Sequence, residues 1–267
     1  MEKVVLLTGA SSGIGAATAQ ALAAAGYRVF GGARRPDAVT APENVELLEL
    51  DVCKPEQVSR AVEDVLSRCG RIDVLINNAG VSLAGPVEAT SDAEALALFD
   101  TNLFGALRMT RAVLPAMRQQ SSGVIINVSS VLGFLPAPFM GLYASSKHAL
   151  EGLSESLDHE VRGFGIRVVL VQPGFTSTSL DANATLTRKP VPAYESAFQS
   201  SLTAVQRQIA EGAAPSSVAT EILAAIAGSH RLRRPVGSGA HMLSVLRRFA
   251  PSPLLDRGIR KTFAMQS

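Results

Sequence analysis

The opening of the chain constrains its fold more than any other stretch. Lys3–Leu7 is a short apolar run, Thr8-Gly9-Ala10-Ser11-Ser12-Gly13-Ile14-Gly15 follows it without a spacer, and Ala16–Ala25 is alanine-rich and ends at Gly26. The run reads as a buried strand, and the alanine segment as a helix with Gly26 as its C-cap. Glycines between a strand and a helix let the backbone turn tightly and approach a pyrophosphate, whose charge then sits at the helix N-terminus. The spacing is G-x-x-x-G-x-G over Gly9, Gly13 and Gly15.

The same alternation continues. Further strands are expected at Arg28–Ala33, Val45–Leu50, Asp73–Ile76, Val124–Val128 and Ile166–Val171, with a short seventh at Arg234–Gly237. Helices are expected from Pro55 to about Cys69, from the capping box Ser91-x-x-Glu94 to about Arg118, and from Tyr143 to near Gly163. Pro115 should kink or end the second of these, and its face with Leu96, Phe99, Leu103 and Leu107 should enter the core or a subunit interface. Alternating strands and helices imply an α/β fold: a doubly wound parallel sheet (Rossmann fold) of about seven strands with helices on both faces. A length of 267 residues, 47% of them hydrophobic, suits one domain over 1–267.

Several function classes are disfavoured. A net charge of +2 provides no field for nucleic acid. Cys53 and Cys69 bracket the helix from Pro55, about 20 Å apart along its axis, too far to bridge, so both read as free thiols of a reducing compartment. His148, His159, His230 and His241 form no metal-ligand spacing. The start reads as a first strand rather than a signal peptide, and no apolar run is long enough to cross a membrane. The expectation is a soluble cytoplasmic protein, in which an Asn183-Ala184-Thr185 sequon is chance.

The chemistry concentrates between Ser129 and Lys147. Tyr143 and Lys147 are four residues apart and share one helix face. A phenol titrates near ~10 in water, and an adjacent ammonium favours its phenolate and brings it toward useful pH. Ser130 offers a second hydroxyl to the same substrate oxygen if the intervening loop folds back. Beyond the second strand, where this architecture faces the adenosine ribose, stand Arg34 and Arg35 instead of an acid. Two guanidinium forks suit a 2′-phosphate, so NADP(H) is expected, with Arg34 the stronger candidate and NAD(H) the alternative cofactor.

Tyr143-x-x-x-Lys147 with Ser130 thirteen residues upstream resembles the catalytic signature of the short-chain dehydrogenase/reductases, and Thr8-Gly9-x-x-x-Gly13-Ile14-Gly15 resembles that family's glycine loop. Ser12 inside the loop departs from common NADP-binding relatives in not being basic. The resemblance extends through Thr178. It implies that Ser11 and Ser12 join the loop glycines around the cofactor, that Asp51-Val52 contacts adenine, and that Asn77-Asn78-Ala79-Gly80 stabilises the sheet and lines the cofactor. It also implies that Pro173-Gly174 with Thr176 and Thr178 clamps the nicotinamide amide and pyrophosphate, and that Asn102 organises a water leading to Lys147. Lys147 would in addition hold the nicotinamide ribose, and a homodimer or homotetramer is implied. The helix from Tyr143 is similar in text to hydroxysteroid and retinol dehydrogenases.

These features point to an NADP(H)-dependent oxidoreductase interconverting a secondary alcohol and a ketone or aldehyde. Tyr143 serves as acid and base, Ser130 binds the carbonyl, Lys147 assists the phenol, and Asn102 supports the relay. Phe134, Phe139 and Phe175 favour a lipophilic substrate over a sugar. A 3-oxoacyl-thioester reductase, a sugar-alcohol dehydrogenase and a non-catalytic NADP(H) sensor or scaffold are the alternatives. Residues 175–212, including a helix at Glu195–Ala210, read as a substrate lid, and Ser216–Ala227 as one more helix. The segment Met242–Phe263 is amphipathic and basic. Such a segment can lie on a membrane surface, but packing on the domain's own apolar surface or substrate mouth is the preferred reading.

Overall fold

Successive apolar residues of one strand must point to opposite faces of a sheet, and the molecule is built on that rule. The computed structural model of the chain describes residues 2–178, 184–189, 191–237 and 239–265. The first half runs β1 (Val4–Thr8), α1 (Gly13–Ala24), β2 (Arg28–Ala33), β3 (Val45–Glu49), α2 (Pro55–Cys69) and β4 (Val74–Asn77). After the short β5 (Leu83–Ala84) come α3 (Asp92–Phe99), α4 (Ala106–Gln119), β6 (Gly123–Val128), α5 (Gly141–Val161) and β7 (Ile166–Pro173). The remainder is β8 (Thr185–Leu186), α6 (Glu195–Ala210), α7 (Pro215–Ala227), β9 (Arg233–Val236), α8 (Ala240–Phe249) and α9 (Ser252–Thr262).

Seven strands form one parallel sheet in the order β3-β2-β1-β4-β6-β7-β9. Val4 and Leu6 face one layer, with Val58, Val62, Val65, Met109, Val113 and Leu157 from α2, α4 and α5. Val5 and Leu7 face the other, with Ala19 and Leu22 of α1 and Val218 and Ile222 of α7. The winding direction reverses between β1 and β4, and in such sheets the crevice beyond the strand ends at that point takes the ligand. A third apolar cluster, outside the sheet, gathers Leu132, Leu135, Met140 and Tyr143 with Val205 and Ile209 of α6 and Phe263.

The expected single helix over 91–118 is two helices. Its start is as expected: the Ser91 hydroxyl accepts from Glu94 N–H, and the Glu94 carboxylate accepts from Ser91 N–H. Between α3 and α4, however, Asp100–Gly105 forms a π-helical turn, and Asn102 sits in it. Pro115 lies inside α4, which continues to Gln119. The face proposed for the core does not enter it: Leu96 is exposed and Phe99, Leu103 and Leu107 are half-buried, while Leu98, Met109, Val113 and Met117 are buried. α5 begins two residues ahead of Tyr143. The sequon residue Asn183 and part of the expected lid fall outside the described residues. Among the described residues, no helix is long and apolar enough to cross a membrane.

Candidate active site

The glycine loop leaves β1 through Gly9 at φ +69°, a conformation that disfavours side chains. A Cβ on Gly15 would stand 2.0 Å from the Gly9 carbonyl oxygen, so the first turn of α1 can approach the loop only as glycine. Among the described residues no side chain caps α1, and its first turn holds no acid, which leaves its N-terminal amides for an anionic ligand. Gly9, Ser11, Ser12, Gly13, Ile14 and Gly15 all line a cleft of about 430 Å³ at the sheet's switch point.

The other expected cofactor residues divide. Arg34, Asp51, Val52, Asn78, Ala79, Gly80, Pro173, Gly174, Thr176 and Thr178 line the cleft as well. Thr8 does not: it is buried, and its hydroxyl accepts from the N–H groups of Asn78 and Ala79, at 3.0 Å each, so it joins the end of β1 to that of β4. Arg35 is also absent from the cleft wall and is exposed, because the chain turns at Pro36 immediately after it. Asn78 secures the loop by donating to the carbonyls of Thr8 (3.0 Å) and Gly9 (3.1 Å). The Asp51 carboxylate accepts from Cys53 N–H, which fixes its orientation at the cleft edge.

At the far end of the cleft, Tyr143 and Lys147 lie one turn apart on α5, each 4% exposed. The Lys147 ammonium donates to the Val128 carbonyl at 3.0 Å and stands 5.9 Å from the centre of the Tyr143 ring. Ser130 reaches the same cleft, its hydroxyl accepting from Leu132 N–H at 3.1 Å. Asn102 lies behind this row, 2% exposed and off the cleft wall. Its carboxamide accepts from Val81 N–H and donates to the Val81 carbonyl, both at 2.9 Å, and donates to the Ser146 hydroxyl at 3.0 Å. Ser146 in turn donates to the Tyr143 carbonyl, so the π turn is tied to the first turn of α5. A Cβ on Gly80 would lie 3.3 Å from Asn102 Oδ1 and 3.7 Å from Lys147 Nζ, which places both groups beside one small gap.

Several contributors carried no motif. Ser129, Cys53 and Thr101 line the cleft too. Burial pushes the Cys53 thiol up; the Thr101 hydroxyl opposes this, and Asp100 adds to it, so the thiol stays protonated and a weak nucleophile. Glu151, one turn past Lys147 and 3% exposed, accepts from Ser129 (2.9 Å), from Gln172 (2.7 Å) and from Arg233 of β9. It thereby holds the neighbours of both Ser130 and Pro173.

The comparisons show the family and the fold. The sequence profile of the short chain dehydrogenases matches residues 3–189. A 3-ketodihydrosphingosine reductase of Bacteroides thetaiotaomicron is 36% identical over 271 residues, covering 99% of each chain. The crystal structure of a short-chain dehydrogenase from Streptomyces avermitilis aligns with a TM-score of 0.82 at 37% identity, over 96% of this chain and 98% of that one. One from Burkholderia cenocepacia, in complex with NADP, aligns with a TM-score of 0.78 at 29% identity over 97% of each. With its parallel seven-stranded sheet and this match over most of its length, the chain belongs to the short-chain dehydrogenase family.

Proposed function

We propose that this chain is an NADP(H)-dependent oxidoreductase that interconverts a secondary alcohol and a ketone, or an aldehyde, on a lipophilic substrate. The observation that carries the reading is the Tyr143 phenol in the wall of the same cleft as the glycine loop, one helical turn from the Lys147 ammonium. The residues present fit the cofactor: the glycine cradle at Gly9 and Gly15 and the uncapped α1 suit its pyrophosphate, and Arg34 at the end of β2 suits a 2′-phosphate. When bound, the reduced nicotinamide supplies the hydride that the carbonyl carbon takes up.

The chain's own groups handle the proton and the orientation. In the reducing direction Tyr143 Oη–H gives its proton to the carbonyl oxygen, and the phenolate left behind is favoured by the Lys147 charge. Ser130 donates a hydrogen bond to that oxygen as negative charge builds on it. Lys147 would also hold the nicotinamide ribose, and Asn102 beside Gly80 would support a water that returns a proton to this end of the cleft. Oxidation of the alcohol runs the same groups in reverse. The apolar cluster around Tyr143, with Leu132, Leu135, Phe134 and Phe175, supports a lipophilic substrate, and α6 adds Phe198 and Leu202 as part of the proposed lid. The relative named for reducing 3-ketodihydrosphingosine supports a ketone.

A panel of carbonyl compounds, followed by NADPH absorbance, tests the reading. Apolar ketones should turn over in preference to sugars and 3-oxoacyl thioesters. Tight cofactor binding with no turnover of any compound would make the chain a cofactor sensor instead. Arg34→Asp should weaken NADPH binding about 10- to 100-fold while leaving NADH nearly unaffected, as expected for losing a charge-assisted contact. Equal losses for both cofactors would remove Arg34 from the 2′-phosphate site.

A further inference from the structure

The segment after β9 packs with one face and leaves another bare. Leu243 of α8 and Ile259 of α9, with Phe263 and Met265, join the apolar cluster that surrounds Tyr143. The side chain of Arg247 donates to the Phe134 carbonyl at 3.0 Å and pins α8 to the loop before α5. The preferred expectation, packing on the domain's own apolar surface or the substrate mouth, therefore describes the inner face, which packs on that apolar cluster.

The outer face is different in kind. Met242, Val245 and Phe249 follow one another at i, i+3 and i+7 on α8 and are 60%, 45% and 75% exposed, and Leu254 at the start of α9 is 59% exposed. Apolar residues at that spacing form one stripe along a helix. Arg248 is exposed with its guanidinium 5.8 Å from the Phe249 ring centre, and Arg257 and Lys261, three and seven residues past Leu254 in α9, are exposed as well. Asp256 is the one acid between residues 240 and 265, against five Arg and Lys residues.

We propose that α8 and the start of α9 seat the protein on an anionic bilayer surface, with Met242, Val245, Phe249 and Leu254 entering the headgroup boundary. An apolar stripe flanked by Arg and Lys is the pattern that an anionic lipid surface complements. A second copy fits less well, because a two-fold contact would set the same arginines and lysine of both chains against each other. The inner face of these helices walls the cluster around Tyr143, so docking brings the substrate mouth close to the lipid. That last consequence rests on the lipophilic-substrate reading; the docking itself does not.

The test is co-sedimentation of the full chain with vesicles of phosphatidylcholine containing phosphatidylglycerol, and with phosphatidylcholine alone. Binding is expected to the anionic vesicles, weakly or not at all to the neutral ones, and to fall with added salt. The double substitution Arg257→Gln/Lys261→Gln should lower vesicle binding about 10- to 30-fold, and Phe249→Ser should lower it as well, with thermal unfolding and turnover of a water-soluble ketone unchanged. No sedimentation with either vesicle overturns the proposal, as does binding unaffected by these substitutions. A dimer in light scattering that is lost in Phe249→Ser also overturns it and assigns the face to a second copy. Vesicle binding by a protein that turns over no ketone would leave docking standing and remove the enzymatic reading.

Discussion

Glu151 shows how much of the site rests on residues without a motif. Its partners Ser129, Gln172 and Arg233 come from β6's end, β7 and β9, and Arg233 stands 82 positions away in the chain. Truncation in Glu151→Ala would remove the buried carboxylate and leave Arg233 with the exposed Glu155 alone, and losing charged hydrogen bonds of this kind costs about 2–3 kcal/mol. Denaturant unfolding should register that loss, and turnover should fall with it because Ser130 and Pro173 lose their anchors. Gly15→Ala acts at the opposite end: its methyl would meet the Gly9 carbonyl at 2.0 Å and the Asn78 amide at 2.6 Å. Overpacking of this kind costs about 1–3 kcal/mol, and a fluorescence titration should find NADPH binding lost with it. That the loop glycines, Tyr143, Lys147 and Ser130 meet at one cleft was legible in the sequence, from the spacing of the glycines and of the Tyr-Lys pair and from the resemblance for Ser130. Thr8 and Arg35 lie off the cleft wall, because whether a side chain at a strand end faces the cleft depends on the next turn, which no pattern in the sequence records.

Among the elements, the seven strands of the main sheet were legible to within about two residues, most of them as apolar runs closed by a turn or a polar residue, whereas the two-residue strands β5 and β8 were not. The π turn at Asp100–Gly105 was not. Leu96 to Leu107 keeps a helical spacing of apolar residues throughout, and an inserted residue in the hydrogen-bond ladder leaves no trace in composition. The turn matters because it carries the Asn102 carboxamide to Val81 and Ser146. Asn102→Ala removes three hydrogen bonds at a buried position, so a loss of about 2 kcal/mol is expected, with Val81 N–H left unpaired. Thermal unfolding gives the stability term, and a drop in kcat larger than the change in KM would mark the contribution to the relay. The segment after β9 was legible only in part: its amphipathic character and the break at Pro251 were plain, but not that α8 and α9 share the apolar cluster with distant α6.

For the whole molecule, the switch point of the sheet explains why so many separate motifs converge: β1, β2, β4, β6 and β7 all end on the same cleft. Stability over pH depends on contacts elsewhere. Asp158 on α5 is buried, which pushes its carboxyl up, but hydrogen bonds from Arg162, Val168 N–H and His230 outweigh this and hold it below the usual range. A depressed carboxylate stabilises the fold above its unfolded pKa, near ~3.9, and that stability is lost as pH falls through the lower folded value. Asp158→Asn should therefore destabilise the protein at neutral pH and flatten its decline below about pH 4, as urea midpoints across that range would record. The central claim, that one phenol exchanges a proton with the substrate oxygen, is tested most directly by Tyr143→Phe with cofactor binding and turnover measured on the same preparation. NADPH affinity should stay within about twofold and turnover should fall about 10²- to 10⁴-fold, the range of a lost general acid. Turnover retained at the parent rate, with cofactor bound, would contradict the account.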